Sequence, residues 1–177
     1  MVQPIIAKGK YWATTAGNHD VEADLDREQI SEVDRSYNYS LTKPNAANIT
    51  HSFNYWLPVY DEKEENITFR IWFLDTGREI CLGQKRWGCV HPDQVEWFRQ
   101  EHLKIDPNDP TKGRGFLFIH IPISEYLSLY NDYYFYGNKN EHVACGGVNT
   151  GLFGALVEQK TVEWVSCGHD HNNDYWG

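Results

Sequence analysis

Five side chains in this 177-residue sequence have types and spacings suited to metal or proton chemistry. Asn18 and His19 stand in Gly17-Asn18-His19-Asp20, His120 in His120-Ile121-Pro122, and His169 and His171 in Gly168-His169-Asp170-His171. Two imidazoles separated by one residue on an extended loop can be aimed into one metal site or at two adjacent metals. Asn18 adds a neutral carbonyl oxygen, and His19 can donate a proton or hydrogen-bond an anion. Each motif also has a plain structural reading: a polar loop for His169 and His171, a turn capped by Asp20 for Asn18, and a satisfied core histidine for His120.

The elements around these motifs decide between the two readings. Thr161-Val162-Glu163-Trp164-Val165 alternates as a strand does and Gly168 breaks it, so His169 and His171 fall on the loop at a strand's C-terminal edge. Gly115 to Ile119 is a near-continuous apolar run, the pattern of a fully buried strand, and it delivers His120 before Pro122 stops it. Tyr11 to Ala16 is β-prone and ends at Gly17-Asn18-His19-Asp20. The sequence thus predicts three strand ends that carry the five candidate residues.

Other segments supply the frame. Ser52–Tyr60 and Ile67–Leu74 predict a strand pair across the acidic turn Asp61–Asn66, with Phe69, Ile71 and Phe73 on one face and Asp75 as a turn former. Residues 24–36 predict a short exposed helix with Leu25, Ile30 and Val33 as apolar anchors and its charges on a solvated face. His91–Leu103 starts with Pro92 and Asp93, which suit a helix N-terminus, and makes His91 a cap and His102 a face residue. Val148–Glu158 predicts a capped helix under the last strand. Residues 37–48 and 78–90 read as loops, the latter with a brief extended piece at Ile80–Leu82. Residues 124–142 read as a long loop at the site mouth, with Tyr126, Tyr130, Tyr133 and Tyr134 available to line a substrate pocket.

Composition narrows the function classes. A chain of this length can bury a core of its own and reads as one domain. A formal charge of −9 leaves no Lys/Arg stripe to track nucleic-acid phosphates, while a phosphate ester held by metal ions remains compatible with it. No apolar run of about 18 residues is present, so no membrane span is expected, and the opening residues lack the pattern of a signal peptide. Cys81 and Cys89 either close a small disulfide or remain buried thiols; the spacing leaves both open. Sequons at Asn38, Asn48 and Asn66 lean toward a secretory or extracellular location.

The order Gly-Asn-His-Asp, His-x-Pro, Gly-His-x-His resembles the calcineurin-like metallophosphoesterases, over nearly the whole chain. Trp87–Phe98 and Gly147–Trp176 resemble its purple-acid-phosphatase-like branch, which includes proteins called probable inactive purple acid phosphatases. The resemblance implies an α/β fold, a sandwich of two mixed sheets flanked by helices. It implies two divalent or trivalent metal ions (Fe, Mn or Zn), with Asn18, His120 and His169 on the second metal and His171 on the first. His19 would contact the phosphate and protonate the leaving group. The implied function is metal-dependent hydrolysis of a phosphate ester, with a catalytically degenerate metal-binding or scaffold protein of the same fold as the alternative. Nothing in residues 1–177 matches the family's Asp-x-His and Gly-Asp motifs, which supply the remaining ligands. The expectation is therefore a single partial domain, the C-terminal part of a longer protein, inactive by itself.

Overall fold

A computed structural model describes residues 2–46, 48–106, 108–109 and 111–177. In chain order the elements are α1 (Gln3–Ala7), α2 (Arg27–Ser36), β1 (Tyr55–Tyr60), β2 (Ile67–Phe73), β3 (Ile80–Cys81), β4 (Gln84–Lys85) and α3 (Pro92–Leu103). They continue with β5 (Gly115–Phe118), α4 (Glu125–Asp132), β6 (Tyr136–Lys139), α5 (Leu152–Gln159), β7 (Val162–Ser166) and β8 (Asn173–Trp176). The main sheet has the order β1-β2-β5-β7, while β3-β4 and β6-β8 form small antiparallel sheets. β1 pairs antiparallel to β2, whereas β2, β5 and β7 are mutually parallel. This mixed sheet, with further sheets and flanking helices, is the α/β arrangement expected of an incomplete metallophosphoesterase-type fold. The parallel run matters most here, because it brings three C-terminal strand edges to one side.

Apolar side chains pack on both faces of the sheet, but β5 is not the fully buried strand its apolar run predicts: Phe116 is 38% exposed and meets Phe69 edge to face. On one face Trp72, Leu74, Leu117 and Ile119 pack with Val95, Trp97 and Phe98 of α3 and with Leu152, Ala155 and Leu156 of α5. Trp72 is 1% exposed and stacks on His102 at 4.7 Å between centroids. His102 is held between the Phe98 carbonyl and the Thr161 hydroxyl, so it serves the core as the sequence suggests. On the other face Phe53, Tyr55, Leu57 and Phe73 pack with Ala16, Ile30 and Phe118.

Several sequence expectations change. Tyr11–Ala16 is not a strand; it makes one parallel bridge, Trp12 with Ser40. Side chains replace the ladder there: the Thr14 N–H donates to the Thr42 and Tyr55 hydroxyls, and the Tyr55 hydroxyl donates back to the Thr14 carbonyl. The helix within 24–36 is present with Asp26 capping it, but Leu25 and Val33 are exposed, and Ile30 alone of the three packs on the core. Its charges are not all solvated, since Asp34 is buried under Trp12 and Ser40. Residues 124–142 hold α4 and β6 rather than a long loop, and β3 and β4 make a minimal ladder within 78–90. Cys81 and Cys89 form a disulfide. Among the described residues no helix is long and apolar enough to cross a membrane.

Trp72 joins β2 to α3 through Trp97, Phe98 and His102. Truncation to Ala should destabilise the protein by about 3–5 kcal/mol. Urea unfolding of Trp72→Ala, followed by far-UV circular dichroism, measures this loss.

Candidate metal centre

β5 and β7 end side by side, and their ladder continues into the site: the Ile119 N–H donates to the Ser166 carbonyl and the Gly168 N–H to the His120 carbonyl at 3.1 Å. This fixes His120 beside the loop that carries His169. The third partner arrives from the segment under the sheet, whose last apolar residue, Ala16, is 1% exposed. Gly17 and Asn18 then turn to the C-terminal edge, where the Asp20 carboxylate accepts from the Gly17 N–H at 2.6 Å.

The result is a convergence on one oxygen. Asn18 Oδ1 lies 2.8 Å from His120 Nε2 and 3.1 Å from His169 Nδ1, and Asn18 is 3% exposed. The two rings meet edge to face, 5.2 Å apart. Burial and then the neighbouring His169 push the His120 imidazole down to about 4, and burial lowers His169 as well. Both rings are neutral near pH 7, the state in which a ring nitrogen binds a metal. His169 Nε2 is buried with no hydrogen-bond partner. His169 also holds a left-handed backbone, φ 70°, uncommon for a residue with a Cβ and frequent at ligand sites.

The other two candidates stand apart from this convergence. The His19 side chain is 68% exposed and pairs with Glu22 at 2.8 Å, and Glu22 in turn pairs with Arg78. His171 is exposed and shares the local field with His169 and Glu141. Among the described residues no group of three or more His, Cys, Asp or Glu side chains is placed to hold a metal. An amide oxygen and two neutral imidazoles are nevertheless donors that Zn, Mn or Fe accepts, and the orphaned His169 nitrogen marks the cluster as incompletely satisfied. The donors present fit one ion in part; the described residues offer no equivalent group around His171.

Three residues to which sequence reasoning gave no part in the centre build this site. Asp75, two residues past β2, is fully buried and receives Arg27 Nε at 2.9 Å, with Arg27 Nη2 on its other oxygen. It is an anchor rather than only a turn former. Arg27 also donates to the Ala16 carbonyl at 2.9 Å and the Gly17 carbonyl at 3.1 Å, so one guanidinium clamps the backbone just before Asn18. Its side chain is 12% exposed, not part of a solvated face. One signal was available: Arg27 opens a helix, where the dipole disfavours a cation, so its head group belongs elsewhere. Trp87 packs edge-on against His169 at 4.4 Å, from the loop that the Cys81–Cys89 disulfide closes.

Among known proteins, this chain is 29% identical to "Probable inactive purple acid phosphatase 28" of Arabidopsis thaliana over 99% of its own length. It is 30% identical, over 98% of its length, both to "Phosphatase DCR2" of Saccharomyces cerevisiae and to "Probable inactive purple acid phosphatase 29" of Arabidopsis thaliana. These similarities, which run along nearly the whole chain, support the resemblance to the purple-acid-phosphatase-like branch of the calcineurin-like metallophosphoesterases. It spans 48%, 32% and 49% of the lengths of those three relatives, half or less in each case. No family model and no solved structure matches it.

The clamp gives a signed prediction. Burial alone would raise the Asp75 carboxyl, but the hydrogen bonds and charge of Arg27 outweigh it and hold it below its ordinary value of 3.8. A lowered folded-state value stabilises above that pH, and the stabilisation is lost as pH falls through the folded value. Arg27→Ala leaves the carboxylate buried and unpaired, which reverses the dependence. The variant should lose about 3–5 kcal/mol at neutral pH, and the difference from the parent should shrink as the pH is lowered through the carboxylate range. Denaturant titrations between acid and neutral pH measure it.

Proposed function

We propose that residues 1–177 are one part of a metallophosphoesterase domain and contribute Asn18, His120 and His169 to a metal site of a phosphoric ester hydrolase. The supporting observation is the convergence of the two imidazoles on Asn18 Oδ1 at the shared edge of β5 and β7. His171 serves the neighbouring ion of a dinuclear centre. A bound metal pair supplies a hydroxide nucleophile at neutral pH and neutralises phosphoryl charge.

The chain's own residues do the remaining work. His120 and His169 stay neutral and hold their ring nitrogens toward the site, and the Arg27 clamp keeps Asn18 facing them. His19, exposed at the mouth, contacts the phosphate ester and hands a proton to the leaving oxygen. Its Glu22 partner orients the ring for that role. Residues 1–177 alone carry an incomplete donor set, so turnover belongs to the longer protein.

The full gene product should hydrolyse an aryl phosphate in a metal-dependent way. His120→Ala and His169→Ala should lower kcat/KM by at least about 100-fold, because loss of outer-shell partners alone costs metal sites about 10–100-fold. Unchanged hydrolysis in both variants overturns the assignment.

The names of two relatives above, "Probable inactive", favour a second reading, a metal-binding protein of the same fold without turnover. Zinc bound in isothermal titration with no hydrolysis by the full product selects it, whereas metal-dependent turnover rejects it.

A further inference from the structure

His169 is a candidate ligand whose ring has little to hold it. Its Nδ1 lies 3.1 Å from Asn18 Oδ1, and its Nε2 has no partner. The last torsion of a histidine side chain has broad minima, so one hydrogen bond leaves the imidazole room to swing. Packing supplies the rest. The His120 ring lies 5.2 Å from it and the Trp87 ring 4.4 Å, at interplanar angles of 74° and 77°. His120 would share the same ion, which leaves Trp87 as the ring contact with no donor role of its own.

The hairpin beside Trp87 is too small to hold it there. The β3–β4 ladder has two residue pairs, Ile80 with Lys85 and Cys81 with Gln84, and an isolated two-stranded ribbon is marginal in water. The Cys81–Cys89 disulfide makes up for this. Cys81 is fully buried and Cys89 is 9% exposed. The next residue, Val90, belongs to the core, and its carbonyl accepts from the Thr150 hydroxyl at 2.6 Å. The disulfide therefore ties the start of the hairpin to a residue anchored in the core. Backbone also presses on the segment that carries Trp87. A Cβ on Gly88 would come within 2.1 Å of the Thr76 carbonyl oxygen, and one on Gly146 within 3.0 Å of the Cys89 Cβ. Thr76 in turn accepts from the Ile121 N–H, next to His120, at 3.1 Å.

We propose that Trp87 is a positioning residue for His169, and that it reaches this place only when Cys81 and Cys89 are joined. The affinity of the centre for a divalent ion then depends on the oxidation of two residues that are not its ligands. Such a centre suits a protein assembled where thiols are oxidised. The oxidation is thiol–disulfide exchange: the two thiols pass two electrons and two protons to a low-molecular-weight disulfide, which leaves as two thiols. The proposal rests on the metal-site reading above.

The test uses residues 1–177 with isotope-labelled histidine, followed by NMR. Without metal, the indole ring current should set the His169 ring protons of the parent apart from those of an exposed histidine. That shift should vanish in the paired variant Cys81→Ser, Cys89→Ser. Zinc is then added and its binding read at the His169 and His120 rings, so that ions held by free thiols do not count. Affinity should fall by at least about 10-fold in Trp87→Ala and in the serine pair, as for loss of an outer-shell partner, and should recover in Trp87→Phe. Far-UV circular dichroism checks that the variants fold; if Trp87→Ala does not, Trp87→Leu, which keeps bulk without an aromatic ring, replaces it. Unchanged zinc affinity in either the Trp87 variant or the serine pair overturns the proposal. If zinc moves neither ring of the parent, the metal-site reading fails and the metal-free shift decides alone: its loss in the serine pair supports the positioning, and its retention overturns it.

Discussion

The candidate centre depends on one buried ion pair. Arg27 and Asp75 come from different elements, one from the start of α2 and one from just past β2. The same guanidinium holds the Ala16 and Gly17 carbonyls. The Asp75 carboxylate further accepts from the Gly77 and Ser52 N–H groups, while its own backbone is tied to Asn54 and Gln94. A charge pair out of water stabilises little by itself. Here its value is geometric, because a segment with a single β-bridge has no ladder to fix its register, and Asn18 would otherwise hang from a loose end.

The parts of the site that were legible in the sequence are those set by local pattern. The apolar run ending at His120 and the alternating run before Gly168 are one-dimensional signals, and both strands form as expected. Asn18 was found for a different reason than the one that holds: its motif is readable, yet Tyr11–Ala16 reaches the edge through hydroxyl hydrogen bonds from Thr42 and Tyr55 rather than as a strand. The Arg27–Asp75 pair spans 48 residues, and Trp87 reaches His169 from farther still along the chain. No periodicity encodes such pairings. The 124–142 segment failed for a related reason: the polar, Tyr-rich sequence of α4 has no buried residue, and its Tyr126 and Tyr130 rings meet Tyr175 of β8, a partner 45 or more residues away.

A groove lined by Val165, Phe153 and Trp176 adjoins the candidate metal centre. Gly168 and Asp170, on either side of His169, line the groove. The orphaned His169 ring nitrogen and the groove therefore meet on one strand-loop unit.

His120 sits in a slot whose two walls are backbone. A Cβ on Gly17 would come within 3.1 Å of its ring, and one on Gly168 within 3.3 Å. Glycine at both places lets main chain approach the imidazole from either side, leaving the ring little room to rotate. The entropy of fixing that rotor is surrendered when the chain folds, so capture of an ion need not freeze it again. Affinity at such a centre is thus set partly by two residues that offer no donor atom at all.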